Sequence, residues 1–246
     1  MPVSPFPFMP GRRWPRRRVH RLVCCPPHVC VYLDAAGQLA TNPSIQGEAW
    51  RVLLLLLSFI DDDNSVVVHT AQVADALHVP RQSVWRALTT LGATGIVQRG
   101  PQSTPGLYQV SEQLARRCHV TSAERPQRFY VRLWQTTAWR QLAADKTLHT
   151  SDLRVLGKVL AEMQWLNVVH LSPPQWGQAL GVARQTVWRS LQGLLARGVL
   201  VPDFRGRPDH YVLSYTYGYR GAMRYLSLMR RQEHAVQQLQ LLANEA

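Results

Sequence analysis

The chain has 246 residues, 46% of them hydrophobic, with a formal charge of +13 at neutral pH and a pI near 10.5. That much apolar material excludes a wholly disordered chain, and so large a charge excess points to a polyanionic partner. The longest apolar run, Val52 to Ile60 broken only by Ser58, falls far short of the roughly 20 residues that a spanning helix needs, so no membrane association is expected.

Residues 1–25 read as a basic arm. Its Pro-broken opening lacks the apolar core of a secretory signal. Arginines at Arg12, Arg13, Arg16, Arg17, Arg18 and Arg21 follow, with no acidic residue among them. An unstructured arm of this kind adds salt-dependent affinity for phosphate by displacing counterions. Cys24, Cys25, His28 and Cys30 are zinc-ligand types, but the second ligand pair of a tetrahedral site is missing. Buried structural cysteines and no cofactor are therefore expected. With Cys118 the chain has four cysteines, too few and too unevenly placed for a disulfide framework, so a reducing cytoplasm is the expected compartment.

Residues 26–118 form the first expected domain. A strand (Val29–Leu33) and a helix lead in, and a helix beginning near Glu48 carries Leu53–Leu57. A helix apolar on every side must be buried on every side, which places it between two lobes. A solvated turn (Asp61–Asn64), a short strand (Val66–Val68) and helices over Thr70–Leu77 and Arg81–Leu91 come next. Gly95 ends the second of these, and strands Ile96–Gln98 and Leu107–Val110 flank a Gly/Pro-rich loop.

Residues 119–221 repeat that order. The elements are a strand (Phe129–Leu133), a helix with cap chemistry at Thr150-Ser151-Asp152 running to about Met163, and a strand (Val168–Leu171). Helices Pro173–Leu180 and Arg184–Leu195, a stop at Gly198, and strands Val199–Val201 and His210–Leu213 follow. Residues 222–246 read as a C-terminal helix whose apolar stripe (Leu226, Met229, Val236, Leu239, Leu242) serves packing on the chain itself or a homodimer.

A shift of 103 residues lays Trp50–Ser111 on Leu153–Ser214 without a gap, with roughly a third of the pairs identical. The expected fold is therefore mainly α with small β-wings (α+β), as two tandem winged helix-turn-helix domains from an internal duplication. The densest match is Arg81-Gln82-Ser83-Val84-Trp85-Arg86 against Arg184-Gln185-Thr186-Val187-Trp188-Arg189. Val84, Leu88 and Leu91 stand at i, i+4 and i+7 and must face the core. Gln82, Arg86 and Thr89 then point outward, flanked by Ser83 and Trp85; the second helix turns out Gln185, Arg189 and Gln192, flanked by Thr186 and Trp188.

Those are the side chains a recognition helix places in a major groove. Gln pairs with adenine N6/N7, Arg with guanine O6/N7, and Thr or an aromatic meets the thymine methyl. Arg81 and Arg184 open the helices, where phosphate contact is natural. Shared ancestry alone explains the matching core positions but not five matches in six, outward polar ones included. For Trp85 and Trp188, a place under the wing is the alternative to DNA contact. Arg205 and Arg207 suit the second wing to a minor groove or backbone, whereas the first wing is nearly neutral.

Catalysis is not expected: no phosphate-binding Gly-x4-Gly-Lys-Ser/Thr loop, no Gly-x-Ser-x-Gly and no His-hydrophobic-His pair to support a nicking Tyr215, Tyr217 or Tyr219 is present. The run from Phe129 through Asn167–Ser172, Val182–Arg189 and Tyr211–Ser214 to Gly221 resembles RepL-type plasmid replication initiators, and the tandem layout is similar to iteron-plasmid initiators. The resemblance implies winged-helix binding to double-stranded DNA at an origin, with replication machinery as partner. The doubling, Ser214-Tyr215 in place of the family's Asn-Pro, and the arginine arm depart from that pattern. A transcriptional regulator on an operator, working with polymerase, is the alternative, and a winged-helix protein-interaction module is a third reading that the charge disfavours.

Overall fold

The computed structural model describes residues 28–61, 63–100, 105–117, 130–203, 205, 207, 209–221, 230, 231, 234 and 238. The arginine arm, Cys24, Cys25 and most of the C-terminal segment lie outside them. Among the described residues the chain mixes helices with antiparallel sheets. The first half runs β1 (His28–Tyr32), α1 (Leu33–Thr41), α2 (Gly47–Leu57), β2 (Ser65–Val67), α3 (Thr70–Leu77), α4 (Arg81–Ala93), β3 (Val97–Arg99), β4 (Leu107–Val110) and β5 (Ala115–Arg117). The second runs β6 (Tyr130–Trp134), α5 (Thr137–Ala144), α6 (Thr150–Glu162), a short 3-10 turn (Trp165–Asn167), β7 (Val168–His170), α7 (Pro173–Leu180), α8 (Arg184–Ala196), β8 (Leu200–Pro202), β9 (His210–Leu213) and β10 (Gly218–Tyr219).

The five leucines of α2 leave it no polar face, and every residue from Ala49 to Leu57 is buried. Together those leucines contribute on the order of 10 kcal/mol of apolar burial before the entropy of ordering is set against it. Helix α2 lies against α4 of its own half and against α5 and α6 of the other, and α1 lies along α6. One core therefore spans both halves, with Leu53 and Leu56 in the same cluster as Leu153 and Leu156. Glu48 at the start of α2 is exposed, but the one cation of the helix is turned inward. Arg51 is buried and donates through Nη2 to the Leu148 carbonyl at 2.7 Å and through Nη1 to the Ala143 carbonyl at 3.4 Å. Arg154 on α6 donates to the Ala40 carbonyl at the end of α1 (2.9 Å) and to the Leu180 carbonyl (2.6 Å).

Each half holds a three-stranded sheet, in the orders β2-β4-β3 and β7-β9-β8. Their registers agree, with Val66 opposite Tyr108 and Val169 opposite Tyr211. A four-stranded sheet of order β10-β6-β1-β5 joins the halves. Its outer strands β5 and β10 have no counterpart in the sequence reading. The turn before β2 is pinned by Asn64 and the one before β7 by Asn167, both buried and both at positive φ (61° and 64°). Asn64 Nδ2 donates to the Ala115 and Val110 carbonyls (2.7 and 3.5 Å) while its Oδ1 accepts the Arg117 N–H at 3.0 Å. Asn167 Nδ2 donates to the Gly218 and Leu213 carbonyls, both at 2.8 Å, and its Oδ1 accepts the Arg220 N–H at 2.6 Å.

Helices α4 and α8 stop in the same way. Gly95 and Gly198 take positive φ just past the helix, and the N–H groups of Ile96 and Val199 return to the Leu91 and Leu194 carbonyls, both at 3.0 Å. At the start of α6 the cap position belongs to His149. Asp152 acts from the first turn, its carboxylate accepting the His149 N–H at 2.8 Å. Cys30 is buried in β1, and His28 packs edge-on against Trp134 at 5.8 Å. Among the described residues no cluster of three His, Cys, Asp or Glu could hold a metal, and no helix is long and apolar enough to cross a membrane. In the C-terminal segment, Arg230 lies over the Trp134 ring at 5.7 Å.

Candidate nucleic-acid interface

Helices α4 and α8 each follow a shorter helix through a tight turn in the left-handed region, at His78 (φ 53°) and Gly181 (φ 64°). Their inner faces are fixed by burial: Val84, Ala87, Leu88 and Leu91 on α4, and Val187, Ser190, Leu191 and Leu194 on α8. With that stripe against α2 or α6, the opposite face must meet solvent. Arg81, Gln82, Arg86 and Thr89 are exposed on α4, and Arg184, Gln185, Arg189 and Gln192 on α8; Ser83 and Thr186 are half-buried at the margin. The two tryptophans do not tuck under a wing. Trp85 is 61% exposed and Trp188 45% exposed. An indole held in water loses apolar stabilisation, so these rings are suited to contact with a partner.

Neither helix has a side-chain cap, so the N–H groups of its first turn carry no side-chain acceptor and lie beside Arg81 or Arg184. That combination of oriented dipoles and a guanidinium suits a phosphate oxygen.

Each helix borders a recess that local sequence patterns did not reveal. On α8 a cleft of about 670 Å³ is lined by Arg184, Gln185 and Trp188 together with His170, Ser172, Pro173, Pro174 and Asp209. The His170 and His210 rings, opposed across β7 and β9, lie 4.9 Å apart beside it. Burial and the Asp209 carboxylate raise the Tyr211 phenol above its ordinary range. On α4 a polar recess of about 330 Å³ is lined by Ser83, Arg86 and Thr90 with Ser44, Gln46 and Glu48. These partners lie on β7, α7 and the β8–β9 loop for the first recess and at the start of α2 for the second, so the fold brings them to the helices.

In the loop between β8 and β9 the two arginines are exposed and share an acidic partner. The buried Asp203 accepts the Arg205 N–H at 3.2 Å and the Arg207 Nε at 2.6 Å. Arg207 is thus a strut of the turn whose charge is matched within the loop, although both arginines are exposed. The sequence held the signal: Asp203 and Asp209 balance Arg205 and Arg207. Arg12, Arg13, Arg16, Arg17 and Arg18 lie outside the described residues. Comparison with protein-family models, curated proteins and solved structures finds no match for the chain.

Proposed function

We propose that the chain is a sequence-specific double-stranded DNA-binding protein made of two copies of one winged helix-turn-helix unit, and that it initiates replication of a plasmid or phage at origin repeats. The single observation that carries the DNA reading is the twin exposed face, Gln82/Arg86 on α4 and Gln185/Arg189 on α8, each set on a helix anchored by a buried apolar stripe. The two-copy reading is supported by the Asn64 and Asn167 clasps, whose partners are all offset by 103 residues. The charge excess of +13 supplies non-specific attraction to the phosphate backbone, and the two faces supply base readout. The initiator role rests on the resemblance of Phe129–Gly221 to RepL-type initiators.

Footprinting of the full chain on the replicon that encodes it tests the proposal. Protection of about 20 base pairs, two helical turns, beside an AT-rich tract is the expected result. Protection of an operator over a promoter would make the same grip that of a transcriptional regulator. No retention of any duplex at moderate salt would refute DNA binding.

A further inference from the structure

The two halves of the chain meet reciprocally. Strands β1 and β6 run antiparallel, with Cys30 opposite Arg132 and Val29 and Val31 opposite Leu133 and Val131. Strand β5 flanks β1 as β10 flanks β6, so the joining sheet reads the same from either edge. Gly47 and Thr150 occupy the first position of α2 and α6, and the Gly47 N–H donates to Thr150 Oγ1 at 3.1 Å. Arg51 reaches the Ala143 carbonyl on the last turn of α5, and Arg154 reaches the Ala40 carbonyl on the last turn of α1. Equivalent positions that touch each other, and unlike positions that touch in exchange, define an isologous, two-fold pairing. Head-to-tail stacking gives neither.

We propose that the chain is a covalent pseudo-dimer whose DNA site is an imperfect inverted repeat, one half-site read by Gln82 and Arg86 and the other, in the opposite direction, by Gln185 and Arg189. This rests on the reading of α4 and α8 as recognition helices. Two helices related by a two-fold axis engage one duplex when its local dyad coincides with that axis, which sets half-sites about 10 base pairs apart with opposite polarity. A direct repeat would require lobes related by translation along the duplex. The half-sites agree where the side chains agree; on the outward face the exposed residues diverge at Thr89 and Gln192, and at its half-buried margin Ser83 corresponds to Thr186. The Thr89 hydroxyl donates to the Trp85 carbonyl at 2.9 Å, whereas the exposed Gln192 presents an amide able to pair with adenine. The second half-site therefore carries one more specified base pair than the first.

Selection of binding sites by the full chain from a random duplex pool, followed by anisotropy titration of the winning duplex, tests this. The expected motif has two oppositely oriented half-sites with a shared core, one longer than the other. Flipping one half in place should weaken binding roughly tenfold or more for each mismatched base pair. Gln192→Ala should shorten the longer half to match its partner. A direct-repeat motif, a single half-site, or equal affinity after the flip overturns the inverted-repeat proposal while DNA binding stands. A pool without enrichment overturns both.

Discussion

Replacement of Asn167 tests whether the clasp within the second half holds the fold. Asn167 Nδ2 donates to the Leu213 and Gly218 carbonyls and Oδ1 accepts the Arg220 N–H, all without solvent access to the side chain. Each such bond contributes about 1 kcal/mol net, and orphaning buried partners adds to the loss. Alanine also tolerates φ of 64° less well than asparagine, by about 1 kcal/mol. Asn167→Ala should therefore cost about 4 kcal/mol. Asn64→Ala should cost less, because its contact with the Val110 carbonyl is already stretched to 3.5 Å. Asn167→Gly should recover about 1 kcal/mol relative to alanine, since glycine accepts the left-handed backbone. Urea unfolding of the full chain, read as the midpoint shift at constant slope, measures all three. A loss below about 1 kcal/mol for Asn167→Ala, or no difference between alanine and glycine, would refute the reasoning.

Three further outcomes are expected. Arg86→Ala combined with Arg189→Ala should cost about 1–3 kcal/mol per lost base contact and relax the selected motif; an unchanged motif would show that the wrong helix face has been assigned. Deletion of residues 1–23 should flatten the dependence of log affinity on log salt while leaving site choice intact, and an unaltered slope would remove the arginine arm from the interface. Burial acts to raise the Asp145 carboxyl, but the Thr147 hydroxyl, the Arg197 guanidinium and the Thr147 N–H outweigh it and hold the pKa down to about 2. A depressed carboxylate contributes stability above its unfolded pKa of about 4 and loses it as pH falls through the folded value. The stability gap between the wild-type chain and Asp145→Asn should accordingly close between pH 4 and pH 2; a gap constant with pH would contradict the ion pair with Arg197.

Local pattern was enough to place the helices that matter. Helices Thr70–Leu77 and Pro173–Leu180 and strands Leu107–Val110 and His210–Leu213 have the bounds read from the sequence, because apolar periodicity and glycine stops are short-range signals. The outward face of Arg81–Leu91 followed from the position of Val84, Leu88 and Leu91, and the burial of Leu53–Leu57 from the lack of any polar side. Strands β5 and β10 escaped notice. Three residues rich in arginine and a Gly-Tyr pair show no alternation, and they become strands only through pairing with β1 and β6 far away in sequence. Asn64 and Asn167 match under the 103-residue shift, but their role was hidden because what they hold is backbone. The ion pair of Arg207 with Asp203 was not read from the sequence, because only the fold turns the Asp203 side chain inward to meet it.

The buried Arg51 and the half-buried Arg154 each tie one lobe to a carbonyl of the other, and prying the lobes apart would break both bonds and open the shared apolar core. On the DNA-binding proposal, a caliper with one shared core holds its two faces at a fixed spacing. Any duplex gripped at both jaws has to supply the bend and twist itself, so the untouched steps between the jaws become selective through their stiffness. Supple pyrimidine–purine steps at that midpoint would bind more tightly than a rigid A-tract, although no side chain reads them.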